Sequence, residues 1–404
     1  MLRLHFVLFF LIFLSFNFFA CKNSNENKYI VKTKLAENEN DYVLEIESIK
    51  IPCNNLIRRY FTYTILNQQN ENYLIGYNPK LSSIDIYNLD KRLFIKRLNL
   101  YSKKLSISNL DKKDLDKSRS VNDIVAKNMD SIILNYGNKK IIILDTALRC
   151  KKIISLDSVV KGSNIPIKLV SYSHDFKMFF FENRLILKQL YSNYNWEIRV
   201  PIFAALNLEN AKLTNLPVTY SDYLYNIKGN AGFLSSVITS EFQKNDVMTY
   251  NFIYESNIYQ YNPKTSTITC YGAKVSKGKN LVDSISYKNE EDINKWVTHH
   301  VENPQFFNVI YDKYRRLYYR FSLRDISQRN GNYFNTILDK PLTLMVFNEK
   351  FEVIKELDLP MYKYAINTWF LTKEGLFISP THEKNRIFES SYLKFDIIKI
   401  SKKK

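Results

Sequence analysis

Six times along the 404-residue chain an apolar, strand-like run closes on Asn or Asp and gives way to a short polar turn. The runs end at Asn88, Asp145, Asn207, Asn262, Asn348 and Asp396. Asn and Asp suit that position because their side chains bond the local backbone and tolerate turn geometry. The markers recur at roughly 50–60 residues, with one longer interval, the length of four strands and their loops. This period predicts an all-β fold, a six-bladed β-propeller over residues 41–401. Further strand-like runs precede the markers, as at Tyr60–Ile65 and Tyr73–Tyr77 in the first unit. The last unit, Trp369–Ile400, has room for three strands. Tyr42–Ile49 alternates like a strand but belongs to no unit, so it is expected to supply the fourth strand of the last blade. Closing the ring in this way removes an edge that would otherwise stay unpaired. The competing arrangement is a two-sheet β-sandwich array, and nine glycines are few for a fold so rich in turns.

The fifth unit is the long one. Phe306–Tyr311 and Leu317–Leu323 read as two strands joined by a charged turn, Asp312–Arg315. Side chains in a strand alternate, which puts Leu317, Tyr319, Phe321 and Leu323 on one face and Arg316, Tyr318, Arg320 and Ser322 on the other. The second face is basic and aromatic. Arg offers a bidentate fork and Tyr a stacking surface, a pairing suited to an anionic ligand. Two insertions accompany the hairpin. Residues 276–304 hold a helix-like stretch, 289–297, followed by His299-His300; residues 324–341 hold the turn signal Asn330-Gly331. Insertions between strands of a rigid scaffold are where binding loops sit. The candidate ligand-binding residues are therefore Arg316, Tyr318, Arg320, His299, His300 and Asp312. The alternative is that Asp312, Asp325 or acids of an adjacent blade neutralise these arginines structurally.

Arg3 followed by an apolar run from Phe6 to Phe19 forms a signal-peptide pattern too short to span a bilayer comfortably. It ends at Ala20-Cys21, which resembles a lipobox, the site where bacterial lipoproteins are lipidated and cut. Residues 1–20 are expected to be removed, Cys21 to be lipidated, and the polar residues 21–40 to form a flexible tether. A multiply acylated Cys21 would hold the protein on a membrane. The other cysteines, Cys53, Cys150 and Cys270, are odd in number and widely spaced, which fits neither a disulfide scaffold nor a zinc site. The formal charge of +18 invites an anionic partner. Most of it reads as Lys spread over solvated faces, and export makes nucleic acid a poor candidate.

The lipobox-like start, the propeller-like repeat and the hairpin Tyr311-Asp312-Lys313-Tyr314-Arg315 with Tyr318-Tyr319-Arg320-Phe321 together resemble a family of bacterial envelope lipoproteins. That family is filed as a domain of unknown function and is similar to six-bladed propellers. The resemblance implies fold and address, and it brings no catalytic residues. Adjacent histidines such as His299-His300 face different ways and are poorly placed to share one metal. No GxSxG, HExxH, P-loop or GxGxxG pattern occurs. No metal, cofactor or catalytic residue is assigned. The chain reads as a lipid-anchored envelope propeller that binds an anionic ligand or an envelope protein, on the outer membrane rather than the inner. The alternative is a propeller hydrolase or lyase acting on a glycan or ester.

Overall fold

The structure, a computed structural model, describes residues 26–403 apart from 38–40, 54–56, 101–120, 162–166, 172–175, 192–194, 236, 240–246, 287–291, 367 and 386–390. The leader and Cys21 lie outside the described residues. Apart from a two-stranded pair, Arg329–Asn330 with Tyr333–Phe334, the described strands form six antiparallel sheets arranged as a six-bladed propeller. Blade 1 runs from Tyr63 to Asn99, blade 2 from Val121 to Ser155 and blade 3 from Ile167 to Leu216. Blade 4 spans Val237–Tyr271 and blade 5 Gln305–Asp358. Blade 6 takes its three inner strands from Trp369–Lys402 and its outer strand from Tyr42–Pro52. That outer strand pairs along all of its 11 residues, from Tyr42 opposite Lys402 to Pro52 opposite Tyr392.

The core is layered between blades. Leu66, Ile75, Ile132 and Ile142 fill the seam of blades 1 and 2. Ile133, Leu185 and Ala204 fill the seam of 2 and 3. Ile51 of the closing strand packs with Tyr87, Phe377 and Phe395 between blades 6 and 1. Both faces of every blade meet a neighbour, so central strands are apolar on both sides. In blade 5 all of Leu317–Leu323 is buried. Leu317, Tyr319, Phe321 and Leu323 face the large cluster that also holds Trp369 of blade 6, while Tyr318 packs with Ile258 and Phe306 towards blade 4.

The recurring Asn or Asp has a physical role. In blades 1 to 5 it ends, or directly follows, the third strand. Its side chain then accepts a backbone N–H two or three residues on. Lys91 N donates to Asn88 at 2.9 Å, Ala147 N to Asp145 at 2.9 Å and Glu209 N to Asn207 at 2.8 Å. Lys264 N does so to Asn262 and Lys350 N to Asn348, both at 2.9 Å. In blade 6 the marker behaves differently. Asp396 lies within the third strand and accepts from Ser48 of the closing strand at 2.6 Å. The five turns also explain the scarcity of glycine. Their left-handed positions are filled by Arg92 (φ 57°), Leu148 (64°), Ala211 (57°), Ser266 (52°) and Phe351 (59°).

Residues 26–37, expected as part of a flexible tether, are a bound strap. Its backbone makes parallel bridges from Thr33 to Gly272, beyond the last strand of blade 4, and from Leu35 to Val353, in the last strand of blade 5. Ala36 N donates to Val353 O at 2.9 Å, and Val353 N to Lys34 O at 2.8 Å. Asn257 holds it from blade 4, accepting from Val31 N at 3.0 Å and donating to Tyr29 O at 2.8 Å. A Cβ on Gly272 would stand 2.3 Å from Val31 O, so the strap needs glycine there. Composition cannot foresee this contact, because most of these bonds engage the backbone of the strap rather than its side chains.

Two outcomes are expected from these features. Deleting residues 22–37 should lower the melting temperature measurably, and extending the deletion to residue 50 should lower it far more. Equal melting temperatures for the two truncations would contradict closure by Tyr42–Pro52. Ser266 is exposed and left-handed, a conformation unfavourable for any residue with a Cβ, so Ser266→Gly is expected to stabilise by about 0.5–1 kcal/mol in denaturant unfolding.

Candidate functional site

The structure separates the residues that the hairpin pattern groups together. Asp312 is fully buried and organises the turn, accepting from Tyr314 N at 2.9 Å, Arg315 N at 3.0 Å and the hydroxyl of Tyr319 at 3.1 Å. Arg316 is in the turn, outside the strand, with φ 59° and an exposed side chain paired to Glu349. Tyr318 is buried and stacks on Phe351 with ring centres 4.4 Å apart. Arg320 is wholly buried between blades 4 and 5. It donates to the carbonyls of Ser256 (2.5 Å) and Ala273, and lies 4.9 Å from the ring centre of Phe306 and 5.7 Å from that of Phe347. Burial lowers its pKa to about 9, so it stays cationic at neutral pH. The expected basic face is thus interior. Backbone carbonyls and aromatic rings, in place of acids, accommodate its one buried arginine.

His299 and His300 stand in the last turn of the helix Ile293–Glu302, which Asp292 caps by accepting from Asn294 N and Lys295 N. The two insertions do meet, since Thr298 donates to Gln328 at 2.7 Å and Gln328 N to Glu302 at 3.2 Å. The histidines point apart. His299 Nε2 donates to Asp283 O at 2.6 Å, while His300 Nε2 lies 3.4 Å from the Gln305 side-chain oxygen. Among the described residues no three His, Cys, Asp or Glu side chains gather as a metal site.

Burial and the nearby Lys340 ammonium hold the His300 pKa down to about 4. Between its free value of 6.5 and about 4, the folded protein therefore binds fewer protons than the unfolded chain. The stability this contributes is complete above pH 6.5 and is lost as pH falls towards 4, up to about 3 kcal/mol. His300→Gln is expected to flatten the acid side of a melting-temperature profile by a corresponding amount. An unchanged profile would overturn the assignment.

A different basic-aromatic group lines a cavity of about 710 Å³ where blades 6, 1 and 2 adjoin. It is built from the segment entering blade 1 (Arg58, Arg59, Phe61), the turn at Lys80, Val121 at the start of blade 2 and Glu383 from blade 6. Tyr60 fixes the segment. Its hydroxyl donates to Asp85 at 2.6 Å, and its ring fills a space that a Cβ on Gly76 would enter at 2.4 Å. Asp85 is in turn clamped by Arg97 at 2.6 and 3.1 Å. With Tyr60 locked inward, its neighbours Arg59 and Phe61 are left to the cavity. Arg59 donates to Thr381 O at 2.5 Å and pairs with Glu383, with Phe61 4.6 Å beneath its guanidinium. Its Nε is buried without a partner among the described residues. A second cavity of about 260 Å³ shares Arg58 and is lined by Lys50, Lys363 and Lys394. There Lys363 pairs with the buried Asp396 at 2.7 Å. The two cavities form a cationic track from blade 1 over blade 6. The sequence carries a signal for it: Arg58-Arg59-Tyr60-Phe61 is itself basic and aromatic, but the strand-like run Tyr60–Ile65 takes in its last two residues, whereas the strand begins only at Tyr63.

Fold and cavity together define a six-bladed propeller with a cationic groove at the seam where its ring closes. Residues 118–358 match the domain of unknown function DUF4221, and the chain belongs to that family. A DUF4221 family member from Bacteroides vulgatus shares the fold with a TM-score of 0.70 at 18% identity, covering 90% of this chain and 100% of that one. A Bacteroides fragilis protein described as exported superimposes with a TM-score of 0.52 at 9% identity, over 91% of this chain and 98% of its own. No curated protein matches the chain.

Proposed function

We propose that this propeller is a cell-envelope binding module that takes an anionic saccharide in the groove lined by Arg58, Arg59 and Lys80. The observation carrying this reading is the wall of the 710 Å³ cavity, which gathers Arg58, Arg59 and Lys80 around the carboxylate of Glu383. A carboxylate-bearing sugar would gain charge-assisted bonds from the arginines, and the half-exposed ring of Phe61 offers a face for the sugar ring. The binding reading is favoured over a hydrolase or lyase by the composition of that wall. An enzyme would need an acid and a base facing the substrate. The carboxylate among the described lining residues is Glu383, and Arg59 already engages it. The leader supports the address: Cys21 is lipidated and holds the protein on a membrane of the cell envelope, for which the outer membrane is the preferred reading. The Bacteroides fragilis structure described as exported supports an envelope location.

Titration with a galacturonic acid oligomer should give saturable, salt-sensitive binding, whereas a neutral galactose oligomer of equal length should bind weakly or not at all. Lys80 is exposed, so Lys80→Glu is expected to weaken the acidic oligomer about tenfold with an unchanged melting temperature. Equal affinity for the two oligomers, or for the two proteins, would refute the groove. In the same preparation Cys21→Ala should move the protein from the membrane fraction to the soluble one.

A further inference from the structure

On the far side of the ring, between blades 3 and 4, a second kind of cavity has the opposite electrostatic character. It measures about 260 Å³ and is lined by Tyr220, Tyr250, Phe252 and Tyr259 together with Glu255 and Ser221. Glu255 is 1% exposed. Its carboxyl accepts from Ser221 Oγ at 3.0 Å and from the Tyr259 hydroxyl, and Ser221 Oγ lies 3.1 Å from the Tyr254 hydroxyl. These partners are neutral. A buried carboxylate ordinarily has a cation beside it, because neutral donors such as these hydroxyls and the Asn257 amide do not repay the loss of water around a charge. The rings add a complementary field: Tyr250 and Tyr259 are stacked 5.3 Å apart at 17°, and Phe252 meets Tyr259 edge-on at 5.3 Å. Aromatic faces attract cations, most strongly where water is excluded. The strap supplies the rim through Lys28 and Tyr29, with Lys28 Nζ 5.5 Å from the Tyr29 ring centre.

We propose that this cavity is a binding site for an organic ammonium group, with Glu255 as its counter-charge and the tyrosine rings as its walls. Burial raises the Glu255 pKa to about 7. The groups that face it are Asp222, Lys28, Cys270 and the phenols of Tyr223, Tyr250, Tyr254 and Tyr259. Burial raises the phenols and the Cys270 thiol well above neutrality, which leaves Glu255 as the group here whose charge is set between pH 6 and 8. The ammonium binds the carboxylate form, so affinity should be full above the Glu255 pKa and fall as pH drops through it.

The test uses choline and the uncharged neohexyl alcohol of the same shape, titrated into the full chain by calorimetry. Choline is expected to bind and the alcohol not to. Affinity for choline should fall about tenfold per pH unit below about 7, since only the ionised carboxyl pairs. Glu255→Gln keeps the shape and an acceptor but removes the charge, and is expected to lose choline at least about tenfold. Equal binding of alcohol and choline, or an affinity for choline independent of pH, would overturn the proposal whether or not the Gln variant folds. A Gln variant that folds and binds choline as well as the parent would also overturn it, leaving Glu255 as a tie between blades 3 and 4.

Discussion

A four-stranded blade has two apolar faces and two edges, and the structure rests on leaving as little of either to water as possible. Stacking six blades in a ring buries the faces against each other, as in the seams filled by Ile132 and Ile142, by Leu185 and Ala204, and by Phe377 and Phe395. The ring must still be closed where the chain ends meet. Here Tyr42–Pro52 pairs antiparallel with Tyr392–Lys402, which joins the beginning of the propeller to its end. Hydrogen bonding and side-chain burial act together at this seam, because Ile51 reaches the same cluster as Phe395.

Burial of both blade faces also governs where charge can go. Arg320 follows the strand alternation as a polar position would, yet that side of the strand is an interior seam. It is tolerated because two carbonyls accept from it and Phe306 and Phe347 flank its guanidinium. Charges that can meet a ligand come instead from segments leaving or entering the blades. The Arg58–Phe61 stretch precedes the first strand of blade 1, and Tyr60, packed against Gly76 and bonded to Asp85, orients it. The closure seam thereby doubles as the wall of the 710 Å³ cavity, with Arg59 bound to Thr381 and Glu383 of blade 6.

The strap follows the same logic on the other side of the ring. Residues that read as polar linker are held by Asn257, by backbone pairing at Gly272 and Val353, and by buried Ile30. It thus ties blade 4 to blade 5 and rims the tyrosine-lined cavity through Lys28 and Tyr29.

The sequence by itself determined the number of blades, the closing strand and the position of the long insertions in the fifth unit. These are legible because strand alternation and Asx-closed turns are local, each requiring only residues a few positions apart. The Asn88, Asp145, Asn207, Asn262 and Asn348 turns are bonded within their own loops, so their signal survives in the linear chain. Tertiary structure alone decided which polar residues are accessible. Alternation assigns Arg320 to a face but cannot tell a seam from a surface, and nothing in the composition of residues 26–37 reveals that their backbone will be bonded by Asn257 and Val353. The meeting of Arg59 with Glu383, and of Ser221 with Glu255, joins residues of neighbouring blades. Such contacts depend on how the blades are arranged around the ring, and no local pattern encodes that.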